Sequence, residues 1–224
     1  MCGRFAQQRP TAELAALFEA EPLLDDPGER FNLAPTDPAT VVVERGDRRA
    51  LTSYAWGLIP PWETDPRRAA RRINARAETV ASSGAFRDSF RRRRCIVPAD
   101  GFYEWQRDGS TRRPYFIHRG DGAPLALAGL WSGWRDPETE TVRRTFTIIT
   151  TGPNRALAGL HDRMPAILEP SAWSLWLDPT TEDVGELHGL LRPAPEEALE
   201  IVAVGQLVNN VRNDGPELIR PLAG

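Results

Sequence analysis

Cys2 follows the first methionine in Met1-Cys2-Gly3-Arg4. A chain that has lost that methionine starts with an α-amine and a thiol on adjacent carbons. The α-amine has an ordinary pKa of about 7.7–8.0, so about 10–20% of it is neutral and nucleophilic at pH 7, beside a thiol of pKa about 8.5. An aldehyde meeting this pair can form an imine with the amine and then be captured by sulfur, closing a thiazolidine ring. The 28 Lys+Arg residues are all arginine, so no lysine amine competes. Position alone leaves a second reading open, in which Cys2 is an accident of the translation start.

Three further groups could serve such chemistry. Asn74-Ala-Arg-Ala-Glu-Thr79 combines an amide able to hold a sugar hydroxyl or a terminal carbonyl with Arg76, which can grip a phosphate bidentately. The same string also reads as a capped helix start with Glu78 paired locally. Cys95-Ile-Val-Pro-Ala-Asp-Gly-Phe-Tyr-Glu-Trp105 sets Glu104 between aromatics, and desolvation there raises a carboxyl pKa into the range useful for acid–base work. An alternating strand could equally point Glu104 to water. Cys95 reads as a buried small hydrophobe. His161-Asp-Arg-Met-Pro165 offers a proton shuttle and, in Arg163, a second phosphate-sized clamp. His118 and His188 lack such surroundings and read as surface residues. Scattered histidines and two cysteines give no metal-site spacing, and no phosphate loop or dinucleotide fingerprint is present. No cofactor or metal is expected.

The elements that must position these groups are short. A helix is expected over Thr11–Ala20, with Thr11 as N-cap, an apolar stripe of Leu14, Leu17 and Phe18, and Pro22 as its stop. Thr40–Glu44 and Ala50–Trp56 read as a hairpin around Arg45-Gly46-Asp47. Trp56-Gly-Leu-Ile-Pro-Pro-Trp62 turns the chain, since two prolines exclude a central strand or helix. Further strands are expected over Cys95–Val97, Gly101–Trp105, Pro114–His118, Leu125–Trp134, Arg144–Thr151 and Leu199–Val204. Helices are expected over Pro153–Leu160, Ser171–Leu177 (capped by Ser171) and Thr181–Leu191. Strands in consecutive runs predict an α+β fold, mainly antiparallel sheets or a partial barrel with several short peripheral helices. The 224 residues fit a single domain, 1–224.

Composition narrows the partner. At 41% hydrophobic and 26% charged, the chain has the balance of a soluble globular protein. It has no apolar run of membrane-spanning length and no signal-peptide segment, and two cysteines fit a reducing cytoplasm. The net charge is −3 but unevenly placed: Pro60–Gly120 carries 14 Arg against 7 acids, and Asp178–Glu200 carries 7 acids against one Arg. One basic and one acidic face follow. Charge alone allows the arginines to be either a solvated surface or a track for a phosphate backbone. Trp62, Trp105, Phe86 and Phe90 interleave with them, as in a single-stranded nucleic-acid groove, although Phe86 and Phe90 fit a core equally well. Ser89-Phe-Arg-Arg-Arg-Arg94 is either a solvated run or part of that track.

Read together, the chain resembles the SOS-response-associated peptidase (SRAP) family, whose members shield abasic sites in DNA. The resemblance rests on Met1-Cys-Gly-Arg-Phe5, Arg30-Phe-Asn-Leu-Ala-Pro-Thr36, Trp56-Gly-Leu-Ile-Pro-Pro-Trp62, Asn74-Ala-Arg-Ala-Glu-Thr79, Cys95–Trp105, Ala128-Gly-Leu-Trp131, His161-Asp-Arg-Met-Pro165 and Val208-Asn-Asn-Val-Arg212. These motifs occur in family order over nearly the whole length. The resemblance implies that mature Cys2 cross-links the ring-opened aldehyde of an abasic deoxyribose as a thiazolidine. It implies that Asn74 positions terminus and sugar, that Glu104 assists ring opening and proton transfer, and that His161 is the acid–base partner. Arg4, Arg76 and Arg163 would hold phosphates. Pro35 and Trp62 would wedge or stack at a single-strand/duplex junction, and Trp105 and Thr150 complete the expected DNA contacts. The expected partner is single-stranded DNA with abasic sites, bound by a cytoplasmic, nucleoid-associated monomer. Two other readings of an N-terminal cysteine remain: a thiol peptidase, and an amidotransferase that uses the thiol on glutamine and the amine only as base.

Overall fold

The computed structural model describes residues 2–109 and 111–222. In chain order the elements are β1 (Phe5–Gln7), α1 (Thr11–Phe18), β2 (Ala20–Pro22), β3 (Arg30–Leu33), β4 (Pro38–Arg45), β5 (Arg48–Trp56), β6 (Asn74–Arg76) and α2 (Arg87–Arg92). There follow β7 (Arg94–Ala99), β8 (Gly101–Asp108), β9 (Thr111–Arg119), β10 (Leu125–Arg135), β11 (Val142–Thr151), β12 (Met164–Pro165), α3 (Trp173–Leu177), α4 (Val184–Gly189) and β13 (Leu199–Ala203). This is the expected α+β class.

Two sheets carry the fold. One is antiparallel, in the order β13-β9-β8-β1-β3. The other runs β12-β11-β10-β7-β4-β5-β2, with β6 alongside β11. Its strands β11, β10, β7, β4 and β5 close on themselves, because β5 also pairs parallel with β11 through Ala55↔Thr145 and Trp56↔Phe146. That partial barrel explains the sequence pattern. Val41, Val42 and Val43 are all buried, which a one-faced strand does not require, but successive side chains alternate faces. Val41 and Val43 point inward with Cys95, Val97, Leu127, Phe146 and Cys2. Val42 points outward with Ile96 and Ala128 onto Phe18, Phe90, Trp173 and Trp176 of the helices. Cys2 therefore sits in the inner core.

Buried Arg94 ties the helical layer to the barrel. Its guanidinium donates to the carbonyls of Trp176, Phe90, Asp178 and Thr181, and burial pushes its pKa down to about 10. Gly57 ends β5 at φ 127°, where an added Cβ would stand 2.7 Å from the Ala69 carbonyl oxygen. Glycine is required by both conformation and space.

Several local expectations change. α1 starts at Thr11 itself, with no side-chain cap, and ends at Phe18 because Glu19 turns left-handed at φ 51°, before Pro22 is reached. Residues 155–160 form turns rather than a helix; Asn154 Oδ1 accepts from the Leu157 amide and the chain does not propagate. Ser171 lies in a 3-10 turn without a side-chain cap. The third helix is shortened to α4: Asp183 caps it, accepting from the amides of Gly185 and Glu186, and it ends at Gly189.

Candidate active site

The N-terminal segment is stitched to β8, and this sets the centre of the site. β1 pairs with β8 at Phe5↔Phe102, and the Tyr103 amide donates to the Arg4 carbonyl at 3.0 Å. Cys2, three residues before Phe5, is thereby carried to the neighbourhood of Glu104. The Cys2 side chain is fully buried, and its thiol lies 3.7 Å from the Arg4 carbonyl oxygen. Burial, reinforced by the negative charge of Glu104, pushes the thiol pKa well above its ordinary value. Glu104 is itself 3% exposed. Burial raises its carboxyl pKa, and His161 acts in the opposite direction. Cys2, Glu104 and His161 are thus electrostatic neighbours drawn from the N-terminus, β8 and a loop.

Asn74 does not start a helix. It opens β6, which lies parallel to β11 in the register Asn74↔Ile148, Ala75↔Ile149 and Arg76↔Thr150. Its Nδ2 donates to the Cys2 carbonyl at 2.8 Å. Its buried Oδ1 has no hydrogen-bond partner among the described residues, leaving an acceptor available beside Cys2. The His161 Nδ1 accepts from the Arg163 amide at 3.0 Å and lies 2.8 Å from an Asp162 carboxylate oxygen. An Nδ1 that accepts this hydrogen bond leaves the ring proton on Nε2.

The expected phosphate contacts divide. Arg76 is exposed. Arg163 is clamped bidentately by Glu78, at 2.7 and 2.8 Å, and also donates to the Thr150 carbonyl. Glu78 is therefore paired across 85 residues rather than locally, and that hydrogen bond lowers its pKa. Thr150 is buried, its Oγ1 facing the Ala75 carbonyl. Arg4 reaches away from the thiol, donating to Asn32 Oδ1 and the Val208 carbonyl. Trp105 donates to Asn209 Oδ1 at 2.7 Å. Pro35 is half-buried, and Thr36 beside it adopts φ 78° with its amide on the Trp56 carbonyl. Trp62 is 58% exposed, with the Arg72 guanidinium 5.8 Å from its ring centroid. Phe90 is fully buried and Phe86 packs against the outer core, so both rings belong to the core.

Sequence reasoning missed the roles of three supporting residues. Arg72 backs Trp62 and pairs with buried Glu63 at 2.6 Å. Glu78 holds Arg163. Asn32 gathers the carbonyls of Val208, Asn210 and Asn213 and so fixes the Val208–Arg212 segment under Arg4. Asn32 and Glu78 lay inside the quoted motifs, but only their distant partners reveal what they do.

The fold and site together define an α+β protein whose Cys2 is buried in the core of a partial barrel beside the carboxyl of Glu104, which in turn neighbours the His161 imidazole. The family model for SOS response associated peptidase (SRAP) matches residues 1–211, and the chain belongs to that family. Abasic site processing protein YoqW of Bacillus subtilis is 39% identical over 223 residues, covering 98% of this chain and 99% of that protein. Abasic site processing protein YedK of Escherichia coli is 33% identical over 242 residues, covering 99% and 100%. A crystal structure of a protein from Bacteroides thetaiotaomicron matches with a TM-score of 0.88 and 25% identity, covering 99% of this chain and all of that one.

Proposed function

We propose that this protein captures abasic sites in single-stranded DNA as a covalent thiazolidine cross-link through Cys2, once Met1 has been removed. Met1 lies outside the described residues, and its removal, by the protein itself or by a separate peptidase, is part of the proposal. The observation that carries the reading is the buried Cys2–Glu104 pair with the Cys2 carbonyl held by Asn74. The names of the relatives, which are abasic site processing proteins, support the substrate class.

The chemistry proceeds in three steps. Glu104, kept protonated to higher pH by its burial, donates to the ring oxygen of the deoxyribose hemiacetal, and loss of the anomeric hydroxyl proton opens the aldehyde. The neutral Cys2 amine adds to that carbonyl and its surplus proton returns to the Glu104 carboxylate; the carbinolamine hydroxyl, protonated by Glu104 or His161, then leaves as water, giving the iminium. The thiol then adds to the iminium carbon as its proton passes to a base, giving thiazolidine; the sum is aldehyde plus aminothiol giving adduct plus one water. The raised thiol pKa favours this order, since little thiolate is present to attack first.

In this account Asn74 Oδ1 receives a sugar hydroxyl, and Arg4, Arg76 and Arg163 hold flanking phosphates. Thr150 fixes the strand beneath Arg76, while Pro35, Trp62 and Trp105 meet bases at a single-strand/duplex junction. The protein works as a monomer in the cytoplasm, at the nucleoid when bound.

The test is incubation of the mature protein with single-stranded DNA carrying one abasic site, read on a denaturing gel. A cross-link that survives without reductant and is lost in Cys2→Ala is expected. Equal cross-linking by Cys2→Ala would overturn the mechanism, and glutamine hydrolysis by the same preparation would favour the amidotransferase.

A further inference from the structure

The arginine run before β7 is only partly used by the fold. Arg94 is buried and spends its donors on four carbonyls of the helical layer and on Arg91. Arg92 pairs with Glu182 at 2.6 Å. Arg91 and Arg93 have no acidic partner and no side-chain hydrogen bond among the described residues, and the Arg93 Nε is buried without one. A buried guanidinium donor left unpaired is costly and points to a missing acceptor. The Arg93 backbone is fixed, its amide on the Ser89 carbonyl and its own carbonyl receiving the Trp131 amide.

These side chains line a cavity of about 660 Å³ with Pro61, Asp88, Glu182 and Val184. Both acids in the lining are already neutralised, Glu182 by Arg92 and Asp88 by Arg87 at 3.6 Å. The uncompensated charge therefore belongs to Arg91 and Arg93. The cavity borders the exposed Trp62 segment: Pro61 in its lining immediately precedes Trp62, on whose ring Arg72 packs.

We infer that Arg91 and Arg93 form a remote phosphate subsite, beyond Trp62 from Cys2, that holds the sugar–phosphate backbone of the DNA strand leading away from the lesion. This rests on the proposed function and adds to it a minimum substrate length. A strand that turns over Trp62 reaches the cavity only when it continues several nucleotides past the abasic position on that side.

The experiment compares wild-type protein with Arg91→Gln/Arg93→Gln, both with melting temperatures checked. Noncovalent affinity is measured against salt, using DNA with a tetrahydrofuran analogue of the abasic site, either as a trinucleotide or extended by about ten nucleotides on each side. For the extended strand, the slope of log K against log salt is expected to shrink by about 1.4, from about 0.7 for each of two lost single-strand phosphate contacts. For the trinucleotide it should not change, and cross-linking of a trinucleotide with a true abasic site should proceed at the wild-type rate. Arg91→Glu/Arg93→Glu should weaken extended-strand binding further. Unchanged slopes on the extended strand, or an equal change on the trinucleotide, would overturn the subsite. Failure of the wild-type protein to cross-link any abasic strand would instead overturn the function on which it rests.

Discussion

At the scale of single residues, the account turns on two buried groups held away from their ordinary titration. Burial and Glu104 keep the Cys2 sulfur a thiol, and burial keeps the Glu104 carboxyl protonated to higher pH than usual. The cross-linking rate should then rise with pH as the terminal amine loses its proton and fall as Glu104 ionises. Glu104→Gln is expected to lower the rate by about 10²–10⁴-fold and to remove the falling limb; a single-turnover pH profile measures both. The linkage sign gives a second outcome. A carboxyl whose folded pKa is raised contributes stability that is full below its unfolded value and is lost as pH rises through the folded one. Wild type should therefore lose melting temperature relative to Glu104→Gln as pH rises above the carboxylate range. The burial of Glu104 was one of two options left by its aromatic neighbours. The pleat of β8 decides it, because Glu104 shares a face with Phe102, which packs in the inner core with Cys2.

At the scale of elements, the reactive centre depends on close approaches that tolerate little change. Gly57→Ala forces a Cβ against the Ala69 backbone at a left-handed φ, and about 1–3 kcal/mol of destabilisation is expected. That loss is measured by denaturant unfolding. Arg94→Ala leaves several buried carbonyls unpaired and should cost on the order of 3 kcal/mol, with cross-linking preserved in the fraction that remains folded. Most of the strands were legible, since β4, β5 and β8 to β11 announce themselves by β-branched and aromatic runs between glycine turns. The short helices were less so. Residues 155–160 have helix-forming composition, yet they must turn toward β12, which pairs with β11 at Thr150↔Pro165. Tertiary pairing overrides propensity there. Asn74 is a similar case: a cap-like residue becomes a strand start because β11 offers an edge for parallel pairing.

At the scale of the whole molecule, the basic and acidic segments meet instead of occupying opposite faces. Glu182 of the acidic segment pairs with Arg92 and lines the same cavity as Arg91 and Arg93, while Glu19, Glu21, Glu44, Asp47 and Asp178 share a second cavity of about 630 Å³ with Arg48 and Arg49. The charge left over for a phosphate backbone at the first cavity is that of Arg91 and Arg93. The sequence made the charge asymmetry plain, but it could not show that Arg94 is structural while Arg91 and Arg93 are unpaired, because that depends on where α3 and α4 pack. The central claim is that amine and thiol of the same residue end up on one carbon. Mass spectrometry of the proteolysed cross-link tests it most directly. The account predicts one adduct, the N-terminal peptide beginning at Cys2 plus the abasic strand less one water, with neither free thiol nor free α-amine. An adduct on any other peptide, or one whose Cys2 thiol remains alkylatable, would contradict it.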